Sequence, residues 1–289
     1  MVSGLFVPGD DEKKLRRAAS TAVDCVYLDL EDAVAPERRG AEALAIARRA
    51  LAELEWAAPR VAVRINGLGT AELLDDVYGL VGLADAVLVP KVAGPEDVAF
   101  VATLLDHEER RMGSAGGRLA IDVLVESPRA VAAVDAIAAA APDRVAALVF
   151  GPGDYAAALG QRAPAIGVPA VPDQWLYAQA RVVNAAKAHG LVAIDGPYAR
   201  LDDEDGFAAS CARAVALGFD GKLLIHPAQV APCRRAFAPT DAEVAAARAL
   251  LDAGAAARVD GAMVDAASAR AARETLASSA ASSASEARA

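Results

Sequence analysis

A chain of 289 residues fits one α/β barrel of roughly 250 residues with a modest extension, so one large core is the economical arrangement. Its 29 Lys plus Arg against 39 Asp plus Glu give a net charge of −10, which argues against nonspecific attraction to nucleic acid or an anionic membrane and asks for a local basic patch if a ligand is anionic. Hydrophobic residues reach 55%, but Ala-rich stretches supply much of this and no uncharged run approaches the ~20 residues that cross a bilayer.

In chain order, the start from Met1 to Asp10 lacks a basic region followed by a long apolar segment, and a cytoplasmic protein is expected. Short apolar runs then alternate with Ala-rich helical stretches, the pattern of repeated βα units around a parallel sheet. The expected strands are Leu5 to Pro8, Cys25 to Leu30, Arg60 to Asn66, Ala86 to Pro90, Leu119 to Glu126, Val145 to Gly151, Leu191 to Gly196 and Gly221 to His226. Helical patterns between them include Glu37 to Glu55, Pro95 to Arg110, Pro128 to Ala140, Gln174 to His189 and Asp202 to Leu217. Eight such units close into a (β/α)8 TIM barrel; an open doubly wound sheet would show a phosphate-binding glycine loop after its first strand, which Val7 to Asp11 is not. The barrel is expected over residues 1–235 and a helical extension over 236–278, carrying amphipathic stretches at Thr240 to Ala257 and Ala266 to Ala277. A frayed Ser/Ala-rich tail is expected to follow. Cys25, Cys211 and Cys233 are odd in number, show no paired zinc spacing and read as reduced thiols.

The placement of polar residues is the informative feature. Asp29 and Glu31 end the second strand, Arg64 and Asn66 the third, Lys91 the fourth and Glu126 the fifth; Asp154 follows the sixth, Asp195 ends the seventh and His226 the eighth. Each alone reads equally as a helix cap or an ion-pair partner, but together they fall at the barrel face where such enzymes place their sites. Glu126 and Asp154 come from adjacent strands and could converge on Mg²⁺, which prefers an octahedron of oxygens and keeps several waters; without a metal, one of two such carboxylates would stay protonated. Arg64 can fork onto a substrate carboxylate or carbonyl, or pair with Asp29 or Glu31, and the two roles are compatible. His226, followed by Pro227, reads first as a structural histidine. Lys13, Lys14, Arg16 and Arg17, with Arg38 and Arg39, form a basic cluster that could receive phosphates or simply be a solvated face.

At these residues the sequence resembles the citrate lyase beta-subunit-like branch of the HpcH/HpaI aldolase superfamily, which includes malyl-CoA and citramalyl-CoA lyases. The match includes LFVPG at 5–9, YLDLEDAV at 27–34, VRINGLGT at 63–70, VLVPKV at 87–92, VLVESPRAV at 123–131, FGPGDYAAALG at 150–160, GFDGKLLIHPAQV at 218–230 and DGAMVDA at 260–266. The resemblance implies a Mg²⁺-dependent carbon-carbon lyase acting on a small 3-hydroxyacyl thioester, with Glu126 and Asp154 as metal ligands and Arg64 polarising the substrate oxygen. It implies Asp29, Glu31 and Asp32 as supports for Arg64, and Lys13 to Arg17 with Lys91 as contacts for the thioester carrier. It further implies Asp265 as a base delivered by the extension of a neighbouring subunit in a trimer or hexamer. The carrier is coenzyme A or, as in a citrate lyase beta chain, acyl carrier protein; a thioesterase is a third outcome and an inactive scaffold barrel the disfavoured one. The Pro/Gly-rich loop Gln161 to Asp173 is where acyl specificity is expected to be written.

Overall fold

The computed structural model describes residues 2–113, 118–253, 258–259, 262–263 and 265–286. Eight parallel strands, β1 (Ser3–Pro8), β2 (Cys25–Asp29), β3 (Val61–Arg64), β4 (Ala86–Val89), β5 (Ala120–Val125), β6 (Val145–Phe150), β7 (Val192–Asp195) and β8 (Gly221–Leu224), close into a barrel in chain order. The helices are α1 (Glu12–Ala19), α2 (Ala41–Glu53), α3 (Leu73–Leu80), α4 (Pro95–Arg111), α5 (Pro128–Ala139), α6 (Pro152–Ala158), α7 (Leu176–Ala188), α8 (Glu204–Leu217) and α9 (Val230–Phe237). The expected TIM barrel is the observed fold, with β1 starting two residues earlier than expected and the other strands trimmed by one or two residues at their ends.

The strands read as unbroken apolar runs because both faces are covered, one by helices and one by the lumen. Alternate residues from all eight strands meet inside: Cys25 and Tyr27, Ala62, Ala86 and Leu88, Leu124, Ala147 and Val149, Ile194 and Leu223, with Phe6 packed against them. That parity fixes which polar residues look inward. Continuing each row by two places Asp29, Arg64 and Glu126 at the carboxyl end of the lumen, and Arg60 and Asp122 at its amino end. In the β2–β3 pairing Asp29 stands level with Arg64.

Local signals account for the helix starts. Asp11, Ser127 and Asp203 cap α1, α5 and α8 by accepting from the backbone N–H groups of Lys14, Ala130 and Gly206, and proline occupies the first turn of α4, α5 and α6. The single helix expected from Glu37 to Glu55 is instead a 3₁₀ turn at Pro36–Arg38 followed by α2. Gly40, at φ 91°, breaks the right-handed run between them. Helices α1, α3 and α6, of 8, 8 and 7 residues, are too short for periodicity to single out. The three cysteines are free and buried.

The chain divides into two compact units, Met1–Cys233 and Arg234–Ala289. The second contains α10 (Asp241–Ala253), the short antiparallel strands β9 (Arg258–Val259) and β10 (Ala262–Met263), and α11 (Ala266–Glu286). The backbone of α11 stays helical well past Ser278, where fraying was expected, because this stretch is built from Ala and Ser with neither Gly nor Pro and Ala is the best helix former. Gly254 to Ala257, the end of the expected Thr240 to Ala257 helix, lie outside the described residues. Among the described residues no helix is long and apolar enough to cross a membrane.

Candidate active site

The carboxyl end of the lumen opens into a cavity of about 630 Å³. Its polar lining includes Asp29, Asp32, Arg64, Glu126 and Asp154, and its apolar lining includes Phe6, Ile166, Pro197 and Ile225.

Asp29 is the anchor. Its Oδ1 accepts from Glu31 N at 2.9 Å and Arg64 Nε at 2.7 Å, and its Oδ2 from Ala33 N at 3.0 Å and Arg64 Nη2 at 2.5 Å. The fork-on-fork pair locks the guanidinium plane. Burial works against the charge of Arg64, but Asp29, then Glu31 and Asp32, hold it protonated. Its Cζ lies 5.2 Å above the Phe6 ring, which stacks on Tyr27 at 5.2 Å. Phe6 is the site residue that sequence reading missed; its lumen parity in LFVPG was the available signal. Gly9 of the same motif donates to Asp29 O at 2.8 Å, and a Cβ there would lie 2.9 Å from that oxygen. Only glycine lets β1 approach the anchoring strand so closely.

Arg64 Nη1 points to the remaining acids, 3.2 Å from Glu31 Oε2 and 3.6 Å from Asp32 Oδ2. Glu31 Oε2 is buried and has no aligned hydrogen-bond donor, while its Oε1 takes the Lys91 ammonium at 2.7 Å. Burial raises the Glu31 carboxyl above its usual range. Glu126, 5% exposed, accepts from Lys91 N at 2.6 Å. Burial, reinforced by the charges of Asp154 and Glu31, pushes its pKa up to about 8, and the Lys91 N–H only partly offsets this. Gly151 makes room for it, since a Cβ there would lie 2.5 Å from Glu126 Cβ. Asp154 stands exposed in the first turn of α6.

These residues fit Mg²⁺. A carboxylate kept from ionising chiefly by burial, a second in the first turn of the helix that follows the next strand, and open cavity beside both suit an ion that retains waters and takes substrate oxygens. Among the described residues no group of three or more His, Cys, Asp or Glu is placed to hold a metal ion.

Other expected residues lie elsewhere. Asp195 faces the helix layer, where its Oδ1 accepts from Gln179 Nε2 at 2.9 Å and its Oδ2 from Lys222 Nζ at 2.5 Å. Asn66 donates to Asp76 through N at 2.9 Å and Nδ2 at 2.8 Å. Of the basic cluster, Lys14 and Arg17 line the cavity. Lys13 is exposed, and Arg16 lines a separate small hollow beside Arg49. Arg38 pairs with Asp10 at 3.1 Å and Arg39 with Asp32 at 3.6 Å. The Lys91 ammonium faces Glu31 and Asp32. His226 lines the cavity while its Nδ1 accepts from Ala228 N at 3.1 Å, a cap of the structural kind expected. In the second unit, exposed Asp265 caps α11: its Oδ1 accepts from Ser268 N at 2.8 Å, which holds its carboxyl below the usual range.

A closed (β/α)8 barrel whose mouth joins a forked arginine to two carboxylates short of a counter-ion is the framework of a metal-assisted enzyme. Residues 2–227 match the HpcH/HpaI aldolase/citrate lyase family, and the chain belongs to that family. It is 37% identical to the L-malyl-CoA/beta-methylmalyl-CoA lyase of Cereibacter sphaeroides, over 89% of this chain and 85% of that protein. It is 34% identical to the (3S)-malyl-CoA thioesterase of the same species, over 84% and 79%. Among solved structures, the CitE protein of Mycobacterium tuberculosis in complex with magnesium, acetoacetate and coenzyme A superposes with a TM-score of 0.80 at 30% identity, covering 96% of this chain and 98% of that one.

Proposed function

We propose that the chain is a Mg²⁺-dependent carbon-carbon lyase that cleaves or forms a small 3-hydroxyacyl-CoA of the malyl type. The observation that carries this reading is the joint placement of Arg64, Glu126 and Asp154 on one cavity, in a chain akin to a malyl-CoA lyase and to a barrel crystallised with magnesium and coenzyme A. Glu126 and Asp154 would hold the Mg²⁺, which when bound would supply Lewis-acid chemistry.

The chain's own residues divide the remaining work. Asp29 consumes one edge of the Arg64 guanidinium and leaves Nη1 as the donor for the substrate oxygen on which charge develops. In cleavage the 3-hydroxyl gives up its proton and the bond between the hydroxyl carbon and the thioester α-carbon breaks. The electron pair passes to the α-carbon as a thioester enolate, which takes a proton to give the acetyl thioester. Asp265 of a neighbouring subunit exchanges the proton at that carbon, which calls for a homo-oligomer, a trimer or hexamer, in the cytoplasm. Lys14 and Arg17, on the cavity lining, meet the carrier phosphates.

Hydrolysis of the thioester at the same site is the second reading, favoured by the likeness to a malyl-CoA thioesterase. The test is mass-spectrometric product analysis with Mg²⁺ and a panel of malyl-, citramalyl- and citryl-CoA, beside Glu126→Ala and excess chelator. Acetyl-CoA plus an oxo acid is expected, falling by on the order of 10³-fold in the variant. Intact hydroxy acid plus free CoA would establish the thioesterase instead, and no turnover of any CoA ester would move the substrate to an acyl carrier protein.

A further inference from the structure

We propose that Lys91 is a positioning residue that shares Glu31 and Asp32 with Arg64, from a backbone turn fixed on Glu126, and that it makes no contact with the thioester carrier. The inference rests on the lyase reading of the site. Lys91 follows β4 and Pro90 with φ 55°, a left-handed conformation that a side-chain-bearing residue adopts only where its surroundings impose it. Two contacts explain the imposition. In this conformation its N–H reaches Glu126 Oε1 at 2.6 Å, and its ammonium reaches Glu31 Oε1 at 2.7 Å and Asp32 Oδ1 at 3.5 Å. One residue thereby joins the metal-binding carboxylate to the acidic end of β2.

The same two acids lie beside Arg64 Nη1, the group proposed to polarise the substrate. Lys91 competes with Arg64 for them. With the ammonium present, Glu31 is shared between two cations and Nη1 retains capacity for a ligand; without it, Asp32 keeps Arg39 but Glu31 is left to Arg64 and draws Nη1 towards itself. The ammonium is also oriented away from carrier duty, since Lys14 and Arg17 line the cavity and Lys91 does not.

The test uses the full-length protein as Lys91→Met, which keeps the stem and loses the charge, Lys91→Gly, which keeps the N–H and suits the left-handed turn, and Lys91→Arg. Titrations with coenzyme A alone and with Mg²⁺ alone accompany kcat, KM and thermal midpoint. In K91M and K91G, kcat is expected to fall about 10- to 100-fold, the range for loss of a group that orients a functional residue. KM and both dissociation constants should stay within about twofold, because the interaction lost acts only in the transition state. K91R restores most of the rate. A tenfold or larger loss of coenzyme A affinity in K91M with kcat intact would overturn the proposal, as would a lowered midpoint with unchanged kcat. If the wild type turns over no thioester, the lyase reading fails separately, and the coenzyme A titration still decides whether Lys91 is a carrier contact.

Discussion

Two arginines four positions apart, Arg60 just before β3 and Arg64 at its end, face the lumen and meet very different partners. At the amino end of the barrel, Arg60 forks onto Asp122, Nη1 to Oδ2 at 2.6 Å and Nη2 to Oδ1 at 2.9 Å, and Tyr27 Oη adds a third donor to that carboxylate at 2.7 Å. One charge meets one charge, and Asp122 and Tyr27 are fully buried. At the carboxyl end Arg64 makes the same fork onto Asp29, yet the mouth around it gathers Asp29, Glu31 and Asp32, which share Arg64, Lys91 and Arg39, and Glu126 and Asp154, which have no paired cation among the described residues. The closed cluster plugs the barrel and has no demand left over. The open one leaves Glu126 and Asp154 without a paired cation beside a cavity, where an added cation would satisfy them.

The sharpest way to break this contrast is to mutate both arginines. Arg60→Ala leaves Asp122 buried and unpaired, which is expected to lower stability by about 3–5 kcal/mol while the folded fraction keeps its turnover. Arg64→Lys keeps a cation at the mouth but loses the planar fork, and kcat/KM is expected to fall roughly 10²- to 10³-fold with a small change in stability. Chemical denaturation and steady-state kinetics on both variants read the two effects separately. If R60A also slowed turnover of the folded enzyme a hundredfold, the amino-end cluster would belong to the active site after all.

The two ends were unequally legible in the sequence. Charged residues terminating apolar strands marked the mouth, so Asp29, Glu31, Arg64, Glu126 and Asp154 could be brought together before any coordinates. Asp122 drew no notice because one polar residue inside the run AIDVLV does not break its strand pattern. Asp195 misled for a related reason: Leu191 to Gly196 is apolar on both faces, and an unbroken run gives no parity to say that Ile194 faces the lumen and Asp195 the helices. The left-handed turn at Lys91 follows from contacts made by residues distant in sequence, so its ammonium read as one more cation at the rim. The division of the basic cluster was within reach, however. Helical spacing puts Lys14 and Arg17 on one face and Lys13 and Arg16 on another, and the first pair lines the cavity.

A smaller effect tests whether the two ends are independent. Tyr27 touches both, donating to Asp122 below and stacking under Phe6, the ring beneath Arg64. Tyr27→Phe removes the hydroxyl and keeps the ring, so stability is expected to drop by about 1–3 kcal/mol, the worth of a hydrogen bond to a buried charge, with kcat and KM unchanged. A change in kcat would show that the hydroxyl, and through it the amino-end cluster, helps hold Arg64.

The last test concerns a buried carboxylate that has no arginine at all. Asp76 on α3, 1% exposed, accepts only from Asn66 among the described residues, and its Oδ1 has no partner. Burial raises its pKa from 3.8 to about 6, with the charges of Glu72 and Asp75 adding to the shift and the Asn66 donors opposing it. The folded state therefore binds the proton more tightly than the unfolded chain. Below about pH 3.8 both states are protonated and the Asp76 contribution is fully present; as pH rises towards 6 the unfolded chain ionises first and stability falls. At about 1.4 kcal/mol per unit the loss across that window is roughly 2–3 kcal/mol. Asp76→Asn keeps an acceptor for Asn66 and removes the ionisation, so its stability relative to wild type should improve between pH 4 and pH 6 and then level off, as followed by urea denaturation. A wild-type profile with the same slope as the variant would mean that Asp76 is ionised in the fold at acid pH. The Asn66 donors would then be sufficient where Asp122 has a guanidinium, and the distinction between paired and unpaired buried acids would lose its force.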